Sequence, residues 1–144
     1  MPLHIQKLCV GVDSVEDLAA WIERRMADRE RRGQPREYVH TTRMAPKRVA
    51  EVLDGGSLYW VIKGAIQARQ AITDLRLVKD ADGTGRCEIV LEPELVRTEQ
   101  RPRRPFQGWR YLPGPDAPRD LRTLDGADDL PPHLVQELRE LGLM

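Results

Sequence analysis

The side chains best suited to chemistry in this sequence are aromatic rings set among cations. Tyr59 and Trp60 stand side by side, followed by Lys63 and Arg69. A second group comes later: Arg103, Arg104, Phe106, Trp109, Arg110 and Tyr111. Aromatic planes stack on nucleobases, and guanidinium groups bind phosphate or stack as planar cations. A single strand of nucleic acid, or a base turned out of its stack, requires both types interleaved. The ligand-binding set expected on this ground is Tyr59, Lys63, Arg69, Arg103, Arg104, Trp109 and Arg110, with RNA or a modified nucleotide as the ligand.

Recognised catalytic motifs are missing. There is no GxSxG, HExxH or CxxC, and no glycine-rich phosphate loop followed by lysine. No catalytic residue is assigned, and no cofactor or metal is expected. The turn DADGTG has the composition of a calcium loop without its helical flanks or distant glutamate. His40, beside Thr41 and Thr42, is expected to be a strand histidine with an ordinary hydrogen bond. Cys9 and Cys87 lie far apart in apolar runs and read as small buried hydrophobes of a reducing compartment.

Charge is balanced at 23 basic against 23 acidic residues, so no global field draws the chain onto nucleic acid. Its distribution is uneven. Arg97 to Arg110 holds five arginines and one glutamate, whereas Pro113 to the end holds seven acids and three bases. Those regions either face each other or are solvated. No apolar run approaches the ~20 residues that span a bilayer. The N-terminal stretch MPLHIQKLCVGV lacks the pattern of a signal peptide, and a cytoplasmic location is expected.

The elements that must position these groups follow from periodicity. With 144 residues, one domain spanning 1–144 is expected. His4 to Val12 alternates as a strand, with Leu8, Val10 and Val12 read as inward. Ser14 caps a helix whose apolar stripe is Val15, Leu18, Ala19, Ile22 and Met26; Trp21, beside the stripe, reads as core. Gly33 stops that helix. Glu37 to Met44 reads as a strand, and a short helix from Pro46 to Leu53 turns Val49, Val52 and Leu53 inward.

Leu58 to Ile62 is a buried strand in which Trp60 shares a face with Leu58 and Ile62, so the sequence allows it to be core and leaves open whether it is core or site. Ala65 to Thr73 is its partner, with Ile66, Ala68 and Ile72 on one face and Arg69 on the other. A bulge near Asp74 restores the phase from Leu75 to Lys79, and Arg86 to Glu92 returns as a hairpin. Arg97 to Pro118 is proline-rich and reads as an extended segment crossing the sheet, with a short strand at Trp109 to Leu112. That crossing is expected to bring Trp109 towards Arg69. A terminal helix from Pro131 carries Leu134, Leu138 and Leu141 inward.

The stretches SLYWVIKGAIQARQAI and RPRRPFQGWRYL resemble the signature stretches of a bacterial family of unknown function, over nearly the whole chain. A short helix, a strand ending at a glycine, the strand IQARQAITDLRLV, a turn and the strand CEIVLEPEL are similar in order to PUA-superfamily domains of the EVE and ASCH types. This likeness covers about Pro46 to Leu95. It implies a small pseudo-barrel that binds RNA or modified bases; some ASCH proteins hydrolyse modified nucleosides. The glycine–lysine pair of the ASCH motif, with its following glutamate and arginine, is absent, so no catalytic role is carried over.

The fold class expected is α+β: a curled, mainly antiparallel sheet, forming a PUA-like pseudo-barrel with flanking helices, with a plain open sheet packed on two helices as the alternative. Three functions compete. The leading one is a module binding RNA or a modified nucleotide through the aromatic and basic residues. A protein-interaction domain would use residues 97–118 to engage a protein partner. A small hydrolase of a modified nucleoside would need polar groups such as Lys63 with Glu92 or Glu94. A membrane partner is not expected.

Overall fold

The computed structural model describes residues 3–121. The expected terminal helix, with Leu134, Leu138 and Leu141, lies outside them. In chain order the elements are β1 (Leu3–Leu8), α1 (Val15–Arg31), β2 (Tyr38–Thr42), α2 (Val49–Leu53), β3 (Ser57–Ile62), β4 (Ala65–Lys79), β5 (Gly85–Leu91), β6 (Val96–Pro102) and β7 (Trp109–Pro113). A short 3₁₀ turn follows at Gly114–Asp116. The seven strands form one curled, open, mixed sheet in the order β2-β5-β4-β3-β1-β7, with β6 also on β4. Only β1 and β3 run parallel; the other pairs are antiparallel.

The curl comes from β4. Its first half pairs with β3 on one edge and β6 on the other, and its second half pairs with β5. Two irregularities bend it, as bulges do. The pairing with β5 skips Thr73, where the sequence predicts a bulge. The pairings with β3 and β6 both skip Gln67, whose side-chain amide donates to the Ile62 carbonyl at 2.7 Å.

The second bulge corrects a face assignment. Ile66 does not share a face with Ala68 and Ile72: it packs with Tyr59, Val61 and Leu112, while Ala68 and Ile72 join the main core. Between β3 and β4, Lys63 and Gly64 both have positive φ, 50° and 79°. That is the two-residue turn whose twist suits a hairpin.

Helix α1 starts where predicted. Ser14 Oγ accepts from the Asp17 N–H at 3.1 Å, and the Asp17 carboxylate accepts from the Asp13 N–H at 3.2 Å. Val15, Leu18, Ile22 and Met26 are its buried face, each worth about 1.5–3 kcal/mol when fully removed from water. They meet Leu3, Ile5, Leu58, Trp60, Ile62, Ile89 and Leu91 on the inner face of the sheet. A smaller core of Tyr59, Val61, Ile66 and Leu112 fills the outer face, with Phe106 and Ala117 against it.

Other expectations are corrected. β1 ends at Leu8; Leu3 and Ile5 face the main core, Leu8 packs on the outer one, and Val10 is exposed. Trp21 is 42% exposed, because the apolar stripe of α1 passes beside it rather than under it. In α2 only Val52 is buried: a single helical turn directs one residue inward, and Val49 and Leu53 stay outside. β6 is a strand where only extended chain is expected, and Pro102 is tolerated as its last residue. Close approach explains Gly56: a Cβ there would lie 2.2 Å from the Val52 carbonyl oxygen and 2.6 Å from that of Leu3. Both cysteines are free, Cys87 buried and Cys9 half-buried.

Candidate functional site

Strand register decides which expected site residues share a surface. Arg69 pairs with Tyr59, Tyr59 with Gln6, and Gln6 with Arg110. Residues paired directly across strands lie on the same face, so Arg69, Tyr59, Gln6 and Arg110 form one row across the outer face. Arg103 joins the row from the β6–β7 connection: its Nε donates to Gln6 Oε1 at 3.0 Å, and its Nη1 to the Pro102 carbonyl at 2.8 Å. The Arg110 guanidinium sits over the Phe106 ring, 5.1 Å from its centroid. Four of the seven expected residues thus lie along one row.

At one end of the row the charge is neutralised. Arg69 binds Asp120 through two hydrogen bonds, of 2.7 and 2.6 Å, and donates a third to Ser57 Oγ at 3.0 Å. This paired geometry is the strong form of an arginine–carboxylate contact, and it raises the Arg69 pKa further. Beside it the His4 Nδ1 accepts the Ser57 backbone N–H at 3.0 Å. Burial, then the nearby Arg69 charge, lowers the His4 pKa. The Tyr59 ring meets the His4 ring edge-on, with centroids 5.0 Å apart. These bonds build a shallow depression of about 390 Å³. They do not make a nucleophile–base pair, because His4 bonds the backbone of Ser57 and not its hydroxyl.

The rest of the row is different. Arg97, paired with Ala68, lies on the inner face and binds Glu16 of α1. Arg101, paired with Ile66 on the outer face, Arg103 and Arg110 of the row, and the exposed Arg104 of the β6–β7 connection form no ion pair among the described residues. Arg101 donates to the Asp116 backbone carbonyl at 2.8 Å, leaving that carboxylate unengaged by it. Asp120 is held by Arg69, 51 residues away in sequence. The arginine segment therefore does not neutralise itself against the described acids that follow it.

Trp109 lies elsewhere. It pairs with Lys7, one step along β7 from Arg110, and so faces the inner side of the sheet, opposite Arg69. Its indole N–H donates to the Met44 carbonyl at 2.6 Å, and its ring meets Tyr111 edge-on at 4.9 Å. The Tyr111 hydroxyl accepts the Lys47 and Arg48 N–H groups at 3.0 and 3.2 Å. The two rings pin the loop before α2 to β7. Lys63, on the β3–β4 turn, is exposed and 3.9 Å from Asp13. Glu92 bonds Ala71 at the opposite end of that hairpin, and Glu94 pairs with Arg36. The polar groups considered for a hydrolase therefore do not converge.

Gln6, Asp120 and Phe106 are participants the expected set did not include. Gln6 carries a readable signal: it is a polar residue in an apolar alternating strand, and it is 9% exposed in the fold. Asp120 carries none, since its role depends on a contact distant in sequence.

A curled mixed sheet with a helix packed on its inner face and arginines on its outer face defines a small α+β protein with a candidate anion-binding surface. The chain belongs to a family described as "Protein of unknown function (DUF1489)", whose model matches residues 5–144. No curated protein and no solved structure matches it. Among the described residues no helix is long and apolar enough to cross a membrane.

Proposed function

We propose that the protein binds single-stranded RNA or a modified nucleotide in the cytoplasm, through the outer face of its sheet. The observation that carries this reading is the group Arg101, Arg103, Arg104 and Arg110, which meets no carboxylate among the described residues. Uncompensated guanidinium groups on one surface attract polyanions and release their counterions on binding. Phe106, partly buried under the Arg110 guanidinium, supplies the ring character of the same face, while Tyr59 is buried beneath it. A PUA-like reading of the architecture belongs to this proposal, supported by the bend in β4 that curls the sheet.

A protein-docking role for residues 97–118 is less well supported. The exposed large apolar side chains are Val10, Trp21, Met44, Val49, Leu53 and Leu77, none of them in that segment. A docking surface needs a contiguous apolar patch, and here Phe106, Trp109 and Tyr111 pack towards the sheet.

The test is a titration of labelled single-stranded RNA with wild type and with the triple variant Arg101→Ala, Arg104→Ala, Arg110→Ala. Arg103 is spared because it also holds Gln6. The proposal expects wild-type binding at low salt and a loss of about tenfold or more in the variant. Equal affinity, or no binding by wild type, would overturn it.

A further inference from the structure

On the inner side of the sheet, away from the arginine face, α1 leaves a cleft of about 650 Å³ against β1 and β2. Its size falls in the range of small-molecule sites. Three cations line it: Lys7 from β1, and Arg24 and Arg25 from α1. None of the three forms an ion pair among the described residues. The acid in its lining, Asp17, is engaged by the Asp13 N–H at the start of α1.

The two guanidinium groups are held by rings rather than by carboxylates. Arg24 and Arg25 each lie 5.5 Å from the Trp21 ring centroid, and Arg25 lies 5.8 Å from that of Tyr38. Such contacts fix a cation in place without cancelling its charge. That is the arrangement of an anion site set in advance.

The wall beside these cations is aromatic and polar. His40 lines the cleft and meets the buried Trp60 edge-on, with centroids 5.2 Å apart. Its Nε2 is shut away from solvent and has no hydrogen-bond partner, where an ordinary bond is expected from the sequence. Burial, then the positive charges of Lys7 and Arg25, pushes the His40 pKa down to about 4, so the ring is neutral near pH 7. Burial also pushes the Cys9 thiol up to about 11, which keeps the thiolate out of the cleft's chemistry.

We propose that this cleft is a second binding site, taking the nucleoside monophosphate moiety of a free mononucleotide or of an RNA end. Lys7, Arg24 and Arg25 receive the phosphate, and Trp21, Tyr38 and His40 supply the wall for a flat ring. Three cations suit a phosphate dianion better than a single carboxylate. The proposal does not rest on RNA binding at the outer face, because the two sites use different residues on opposite sides of the sheet.

Calorimetric titration of the full chain tests it, with nucleoside 5′-monophosphates, the corresponding nucleosides, inorganic phosphate, and a trinucleotide with and without a 5′-phosphate. At least one monophosphate binds, and its nucleoside and inorganic phosphate bind about tenfold or more weakly. Arg24→Ala with Arg25→Ala, both on the exposed side of α1, lowers that affinity about tenfold or more at an unchanged thermal midpoint. Arg31→Ala, at an exposed cation of α1 outside both the cleft and the arginine face, leaves it unaltered. A 5′-phosphorylated trinucleotide that matches the mononucleotide identifies an RNA end as a source; binding of the mononucleotide alone identifies the free ligand. No monophosphate binding at millimolar concentration, or full affinity in the double variant, overturns the proposal.

Discussion

On the inner face of the sheet, Gln70 is fully buried with both ends of its amide bonded: Oε1 accepts the Trp60 indole N–H at 2.9 Å, and Nε2 donates to the Glu92 carbonyl at 2.9 Å. On the outer face, one residue earlier in β4, Arg69 is tied to Asp120 and Ser57. Further along that outer face, Arg101 and Arg110 have no such acid, nor has the exposed Arg104 in the connection between β6 and β7. The same sheet therefore holds polar groups that complete the fold and polar groups that the described fold leaves unneutralised. A buried polar atom must be bonded or the fold loses stability. An exposed guanidinium has no such requirement, and its freedom is what a ligand can use.

The comparison breaks most visibly at Trp60. Trp60→Ala removes a buried ring and leaves Gln70 Oε1 without its donor, so it should cost about 3–5 kcal/mol in urea unfolding. A loss below about 1 kcal/mol would show that the inner face is not the stabilising one. Arg69→Ala should cost less, about 1–3 kcal/mol, because the pair is partly exposed while Asp120 and Ser57 lose their donor. Its double-mutant cycle with Asp120→Ala should show coupling; strict additivity would mean the pair does not act as one unit.

The histidines give a pH-dependent version of the same contrast. The folded pKa of His40 lies near 4, below its ordinary value of 6.5, so between those values the unfolded chain binds more protons. Stability should therefore fall as pH drops from about 6.5 towards 4, by no more than about 3 kcal/mol from this residue. His4, also lowered, adds in the same direction. In His40→Gln the fall should be shallower; an unchanged pH profile would remove His40 from the account. The smallest effect belongs to Arg104→Ala, which should alter stability by less than about 0.5 kcal/mol while weakening RNA binding.

Local signals made much of the frame legible. Ser14 and Gly33 bound α1, the phase change near Asp74 marks the bend in β4, and the run from Leu58 to Ile62 marks the buried strand. What failed to show depended on contacts distant in sequence. The bulge at Gln67 moves Ile66 to the other face, and alternation alone cannot register an inserted residue. β6 is a strand because β4 offers it an edge, not because of its own apolar pattern. Trp21 and Trp109 differ from expectation for a related reason. An aromatic ring fits a core or a surface, and only the neighbouring elements decide which. The expected meeting of Trp109 with Arg69 is excluded by register, since adjacent rows of a sheet point to opposite faces.

The account turns on whether the outer arginines are free to bind a polyanion, and the salt dependence of RNA affinity tests that most directly. For single strands the logarithm of affinity should fall with the logarithm of salt concentration, with a slope of about −0.7 for each phosphate contacted. Wild type should show a slope that each of Arg101→Ala, Arg104→Ala and Arg110→Ala makes shallower, at unchanged thermal stability. A slope identical in wild type and all three variants would contradict the assignment of this face to RNA.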